Sequence, residues 1–163
     1  MEYSIHPMTV EDREPVIDLF NFYVENSFAA YPESKLPYQA FDLFLQMSKG
    51  LPTATIKDQK GDLLGFGMLK VYSPMAAFSK TAEITYFLRS DWTGKGLGKI
   101  LLEYLEGEGR ARGIKTILAS ISSLNPGSVK FHEKNGFVQC GCFREVGLKR
   151  GRTFDTVWMQ KTL

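Results

Sequence analysis

The chain has 163 residues, 44% of them hydrophobic and 23% charged, with a formal net charge of +2. That length suits a single domain spanning 1–163, with apolar side chain enough for a core, which excludes wholesale disorder. No apolar run approaches the roughly 18 residues that cross a bilayer, so a membrane is not an expected partner.

The opening to Pro15 is acidic and broken by Pro7, unlike a signal peptide, and two cysteines are too few for a disulfide framework. A reduced, cytoplasmic setting is expected. Tyr3 and Ile5 alternate with polar neighbours as a short strand. Thr9, with Asp12 three residues on, marks a helix start, and Val16, Leu19, Phe20 and Tyr23 follow at helical spacing. Phe41, Phe44 and Leu45 mark a second helix that Gly50 ends.

The period then changes. Thr53 to Asp58 and Leu63 to Tyr72 read as strands around a turn at Lys60, Gly61 and Asp62, and Thr81 to Arg89 reads as a third. A glycine-rich stretch from Thr93 to Gly98 runs into the helical pattern Leu97, Ile100, Leu101, Leu105, closed by Gly113. Lys115 to Ile121 is a strand candidate. A short helix follows the turn at Asn125, Pro126 and Gly127 and ends at Asn135 and Gly136. Phe137 to Phe143 and Thr153 to Lys161 read as the last two strands. This order predicts an α/β (α+β) fold: a mixed, mostly antiparallel, twisted sheet of about seven strands with about four helices on its faces.

Charge is uneven along the chain. Residues 1–49 hold 3 basic side chains against 8 acidic, and residues 50–163 hold 17 against 10. A basic C-terminal two-thirds favours an anionic ligand, while the absence of a dense basic cluster argues against nucleic acid. Cys140 and Cys142 lack a second pair of metal ligands, so no metal is expected.

The stretch Gly94, Lys95, Gly96, Leu97, Gly98, Lys99 stands between a strand and a helix, where unpaired backbone N–H groups and the helix dipole attract phosphate. Lys95 and Lys99 add positive charge. A nucleotide-triphosphatase loop does not fit: three residues separate Gly94 from Gly98, and Ile100 stands where Ser or Thr is needed. A dinucleotide fingerprint does not fit either, because only Leu97 separates Gly96 from Gly98. An ordinary glycine-rich loop before a helix remains the plain alternative.

Thr93 to Gly98 resembles the coenzyme A pyrophosphate loop of the GCN5-related N-acetyltransferases (GNAT), with Thr93 in place of the usual basic or amide residue. Asn125, Ser128, Phe131, His132, Gly136 and Phe137 resemble a second motif of that family. Histidine at 132, where the family usually has tyrosine, is similar to the phosphinothricin N-acetyltransferase-like branch. So are Glu83 in the strand before the loop, the run Tyr23 to Ser27, and Arg144 to Gly147 followed by Gly151, Arg152 and Asp155. The branch commonly carries an arginine and a tyrosine before the acidic strand, thought to hold an acidic substrate. Here Met75 and Phe78 stand there, and a thioether cannot replace a guanidinium clamp.

The resemblance implies acetyl-CoA as co-substrate and a small amino-acid-like amine of the phosphinothricin, methionine sulfoximine or methionine sulfone type as acceptor. Other small amines, a protein N-terminus, or a coenzyme A sensor without turnover are the alternatives. It further implies that backbone N–H groups of Tyr86, Phe87 or Leu88 meet the thioester oxygen and that Asn125 holds the pantetheine arm. Branch relatives are often dimers, so a homodimer is an expectation. In this chemistry Glu83 is the carboxylate that takes a proton from the amine, directly or through water. His132, with an ordinary pKa of about 6.5, returns one to the thiolate. The duller readings are a solvated Glu83 and a His132 that only packs.

Overall fold

A computed structural model describes residues 2–163. The strands are β1 (Tyr3–His6), β2 (Thr53–Asp58), β3 (Leu63–Val71), β4 (Thr81–Leu88), β5 (Thr116–Ser122), β6 (Val138–Lys149) and β7 (Arg152–Thr162). The helices are α1 (Arg13–Asn26), α2 (Ala40–Met47), α3 (Leu97–Ala111) and α4 (Pro126–Lys134). One sheet of seven strands runs in the order β1-β2-β3-β4-β5-β7-β6. Among the described residues only β4 and β5 pair in parallel, as expected when a strand, a crossover helix and a strand follow one another. The predicted fold class is the one observed.

Two hydrophobic layers cover the sheet. Val16, Ile17 and Leu19 of α1 and Phe41 and Phe44 of α2 pack with Phe66 and Met68 on one face. Leu97, Leu101, Leu102 and Leu105 of α3 pack with Leu64, Leu69, Ile84 and Ile117 on the other. β3 is buried on both faces, which is why it reads as an unbroken apolar run. Gly67 lets α3 approach closely: a Cβ there would stand 2.9 Å from both Leu105 and the Tyr86 Cβ. The approach matters because α3 carries the glycine loop at its start.

Two boundaries differ from the predicted ones by more than the shift of a residue or two seen at other element ends. The Thr9 start is a 3-10 turn over Val10–Asp12 that leads into α1, and the Thr9 N–H donates to Asp12 Oδ2 at 2.8 Å. β6 continues past Phe143 to Lys149, because the strand bulges and re-pairs. Glu145 takes a φ of 54°, its N–H donates to Asp155 Oδ1 at 2.7 Å, and pairing resumes at Gly147 opposite Phe154. Side-chain alternation is lost at the bulge, so the extension is hard to see in the pattern.

Candidate active site between β4 and β5

β4 and β5 begin side by side and then part. Their parallel register covers only Thr81 with Thr116, Ala82 with Ile117 and Glu83 with Leu118. β4 runs five residues further, still paired to β3 up to Leu88, and β5 remains paired to β7 up to Ser122. Between the separated halves lies a cavity of about 700 Å³, bordered by Ile84 to Leu88, Ala119 to Ser122, the start of α3 and the start of α4.

Backbone direction follows from register. Arg89 N–H donates to the Leu64 carbonyl at 2.8 Å, so the odd-numbered residues of β4 turn their backbone polar groups toward β3. The amides of Tyr86 and Leu88 therefore face the gap, and that of Phe87 faces β3. The Leu88 carbonyl, on the gap side, accepts the Tyr23 hydroxyl. On the opposite side, Ser123 N–H donates to the Asp155 carbonyl of β7, which leaves the backbone groups of Ser120 and Ser122 facing the gap. Two strands whose facing backbone groups do not bond to each other border a space that an extended amide chain fits.

The glycine loop closes one end. Gly94 and Gly96 have φ of 72° and 85°, the left-handed region that glycine adopts at little cost, and a Cβ at either would meet nothing within 4 Å. Ile100 N–H donates to the Gly96 carbonyl at the start of α3, so the amides of Leu97, Gly98 and Lys99 precede the intrahelical ladder. Gly94, Gly96, Gly98 and Lys99 border the cavity. Leu97 points its side chain into the core and has only its amide to offer. Lys95 rests its ammonium 4.4 Å from the Trp92 ring and does not border the cavity. Lys99 pairs weakly with Glu103 at 3.7 Å. Such an open-faced loop of free N–H groups fits a pyrophosphate.

Asn125 and His132 border the cavity from α4. His132 is buried, with Nδ1 at 2.7 Å from the Ser128 carbonyl and Nε2 at 2.7 Å from the Tyr86 hydroxyl. Burial holds its pKa below the ordinary histidine value, partly opposed by the Ser128 hydrogen bond. Burial also raises the Tyr86 phenol far above its usual range, with the charge of Glu106 adding to it. Sequence reasoning assigned Tyr86 only its backbone. The side chain's role lay outside its reach, because a pairing across 46 residues leaves no local signal.

Glu83 is not among the residues that border the cavity. It occupies the last paired position before the strands part, half-buried, 3.6 Å from the Lys70 ammonium on β3. Its charge also reaches Tyr31, whose hydroxyl lies 3.4 Å from Ser120 Oγ on β5. Met75 and Phe78 lie in the β3–β4 connection, 64% and 42% exposed. Among the described residues no group of three or more His, Cys, Asp or Glu is arranged around a metal position, and no helix is long and apolar enough to cross a membrane.

Residues 16–137 match the model of the acetyltransferase (GNAT) family. The chain belongs to the GNAT family. It is an acetyl-CoA-dependent N-acetyltransferase. Over its whole length it is 33% identical to an L-methionine sulfoximine/L-methionine sulfone acetyltransferase of Pseudomonas aeruginosa, covering 96% of that protein. Among solved structures, a phosphinothricin acetyltransferase of Sinorhizobium meliloti in complex with acetyl-CoA superposes with a TM-score of 0.93 at 27% identity, over 100% of this chain and 89% of that one. A ribosomal-protein-alanine N-acetyltransferase of Brucella melitensis gives 0.90 at 28% identity, over 98% and 99%. This GNAT chain is thus similar both to enzymes named for small amino-acid analogues and to one named for a protein substrate.

Proposed function

We propose that this GNAT enzyme transfers the acetyl group to the free amine of a small amino-acid-like acceptor of the methionine sulfoximine, methionine sulfone or phosphinothricin type. The observation that carries the reading is the likeness, over the full chain, to a methionine sulfoximine/sulfone acetyltransferase, joined to a carboxylate, Glu83, at the base of the gap. The amides of the 94–99 loop bind the pyrophosphate, and Asn125 holds the pantetheine arm. The gap-facing amide of Tyr86 or Leu88 donates to the thioester oxygen as it gains charge, an effect typically worth ~3 kcal/mol of barrier for one preorganised donor. Glu83 takes the first proton from the ammonium, whose ordinary pKa of about 10 keeps it protonated at neutral pH. The Lys70 ammonium stands 3.6 Å from that carboxylate on the neighbouring strand.

A second acceptor class is favoured by a specific feature. The apolar, exposed Met75 and Phe78 suit an acceptor with an uncharged side chain, or a peptide N-terminus, better than a second acid. The test is thiol release from acetyl-CoA with methionine sulfoximine, methionine sulfone, phosphinothricin, neutral amino acids, polyamines and N-terminal peptides. Turnover with the first three above the acceptor-free rate is expected. Release only with peptides or polyamines overturns the reading, and tight coenzyme binding without release under any acceptor favours a sensor.

We further propose a homodimer that joins along β6. That strand is one of the two edges of the sheet and exposes Val138, Phe143, Val146 and Leu148. Sedimentation at micromolar concentration gives the mass, and a monomer there removes the proposal. The exposed, unpaired Cys140 and Cys142 on the same strand accord with a reducing, cytoplasmic setting.

A further inference from the structure

We propose that the Tyr86 hydroxyl is a catalytic group: it carries protons between the reacting atoms and His132, which stands behind it and never touches them. The inference rests on the acetyl-transfer reading above and adds to it the path of the second proton.

His132 is 4% exposed, packed by Phe137 with ring centroids at 4.9 Å and by Phe131 at 5.4 Å. The Ser128 carbonyl, 2.7 Å from Nδ1, can only accept, so Nδ1 carries the hydrogen. In the neutral ring Nε2 is then bare, and the Tyr86 O–H at 2.7 Å donates to it. Both nitrogens are occupied. A proton that passes between the imidazole and the cavity has to cross the Tyr86 oxygen.

Tyr86 is placed for that transfer. It lies on the part of β4 that has no β5 partner, and it borders the cavity together with His132. Having donated its one hydrogen to Nε2, its oxygen keeps lone-pair capacity for a hydrogen from the cavity side. The charged groups that face this pair are Glu106 of α3 and Lys161 of β7, and these are bound to each other at 2.7 Å.

The step balances. As the amine nitrogen bonds to the thioester carbon, its surplus proton passes to the Tyr86 oxygen while the Tyr86 proton moves to Nε2. The C–S bond then breaks with its electron pair on sulfur. Nε2 returns its proton to the Tyr86 oxygen, and Tyr86 delivers one to sulfur. One N–H has been exchanged for one S–H, and both side chains end as they began. An imidazole held weakly basic by burial gives its proton back readily, which suits a carrier.

The experiment compares Tyr86→Phe, His132→Gln and the double variant with the parent enzyme, each checked for an unchanged thermal transition. Tyr86→Phe is expected to lower kcat about 100-fold, within the range of general acid–base effects, with the acetyl-CoA KM within about twofold. The double variant should lose no more than the worse single variant, as groups that act as a unit do. The rate in mixed light and heavy water should follow a curve in the parent enzyme and a straight line in Tyr86→Phe. As a readout free of any acceptor, coenzyme A should shift the His132 Nε2 nitrogen resonance in the parent and by less than half as much in Tyr86→Phe. A Tyr86→Phe enzyme with kcat within twofold of the parent overturns the proposal, as do multiplying losses in the double variant. An undiminished Nε2 shift without the hydroxyl overturns it whether or not an acceptor is known. A Glu83→Gln enzyme that collapses while Tyr86→Phe turns over normally sinks the relay alone and leaves the acetyl-transfer reading standing.

Discussion

The Lys149 ammonium donates to the Val24 carbonyl at 2.7 Å, which ties the end of β6 to the last turn of α1 across 125 residues of chain. Its other hydrogens go to the carbonyls of Ser27 and Ala30 at 2.8 and 2.7 Å. Lys149 is 1% exposed, and those three carbonyls are its hydrogen-bond partners. The arrangement acts as a C-terminal cap on α1: a cation meets the negative end of the helix dipole and satisfies an orphan carbonyl there. It also holds the segment 27–31, which brings Ala29 to the cavity and Tyr31 to Ser120.

Lys149→Met should therefore cost both stability and acceptor binding. The carbonyls of Ser27 and Ala30 lose their donor and that of Val24 keeps only Arg150 Nη2 at 2.8 Å, a loss worth about 2–4 kcal/mol in all. A urea titration is expected to show that loss. Steady-state kinetics should show a raised acceptor KM with the acetyl-CoA KM near its original value.

Glu83→Gln keeps the shape of the side chain and removes its capacity to take the amine proton. A fall in kcat of about 10²–10⁴-fold is expected, with little change in coenzyme affinity measured by titration calorimetry. The loss should shrink as pH rises toward the amine pKa of about 10, where the acceptor arrives already neutral. Equal activity at neutral pH removes Glu83 from the mechanism.

Gly96 stands at φ 85°, ψ −4°, with open space where a Cβ would be. Gly96→Ala is thus opposed by backbone conformation and not by a clash. About 1–2 kcal/mol of strain is expected, which corresponds to roughly a tenfold rise in the acetyl-CoA KM if the loop relaxes away from its phosphate-binding shape. The acceptor KM should move little.

His132 gives stability a pH dependence of predictable sign. Burial depresses its folded-state pKa below the unfolded value of about 6.5. Above that value both states are neutral and the contribution is complete. As pH falls below about 6.5 the unfolded chain binds a proton that the folded chain refuses, and stability is lost at up to about 1.4 kcal/mol per pH unit. Urea midpoints between pH 7.5 and 5 should fall more steeply for the parent than for His132→Asn.

Asp12 joins two elements at the far edge of the sheet. Its buried carboxylate accepts the Thr9 N–H and lies 2.6 Å from the Lys57 ammonium on β2. Asp12→Ala removes the cap and leaves a half-buried cation without its partner, and a loss of about 2–4 kcal/mol is expected in chemical denaturation. Turnover at saturating substrates, measured below the melting transition, should be unchanged because the gap lies on the other side of β3.

Local patterns in the chain determined the elements, their order and the class of sheet, because helix and strand periods are set by neighbours within a few residues. They also marked the glycine loop, whose backbone needs leave a trace in the sequence, whereas Asn125 and His132 stood out only through their resemblance to a GNAT motif. Where β4 leaves β5 is a matter of register, with β4 still paired to β3 and β5 to β7 beyond that point, and no residue type announces it. The contact of Tyr86 with His132, the seat of Lys149 on three carbonyls and the position of Glu83 at the base of the gap are meetings of distant residues. Only packing brings such groups within hydrogen-bonding distance, so they became visible when the chain was seen folded.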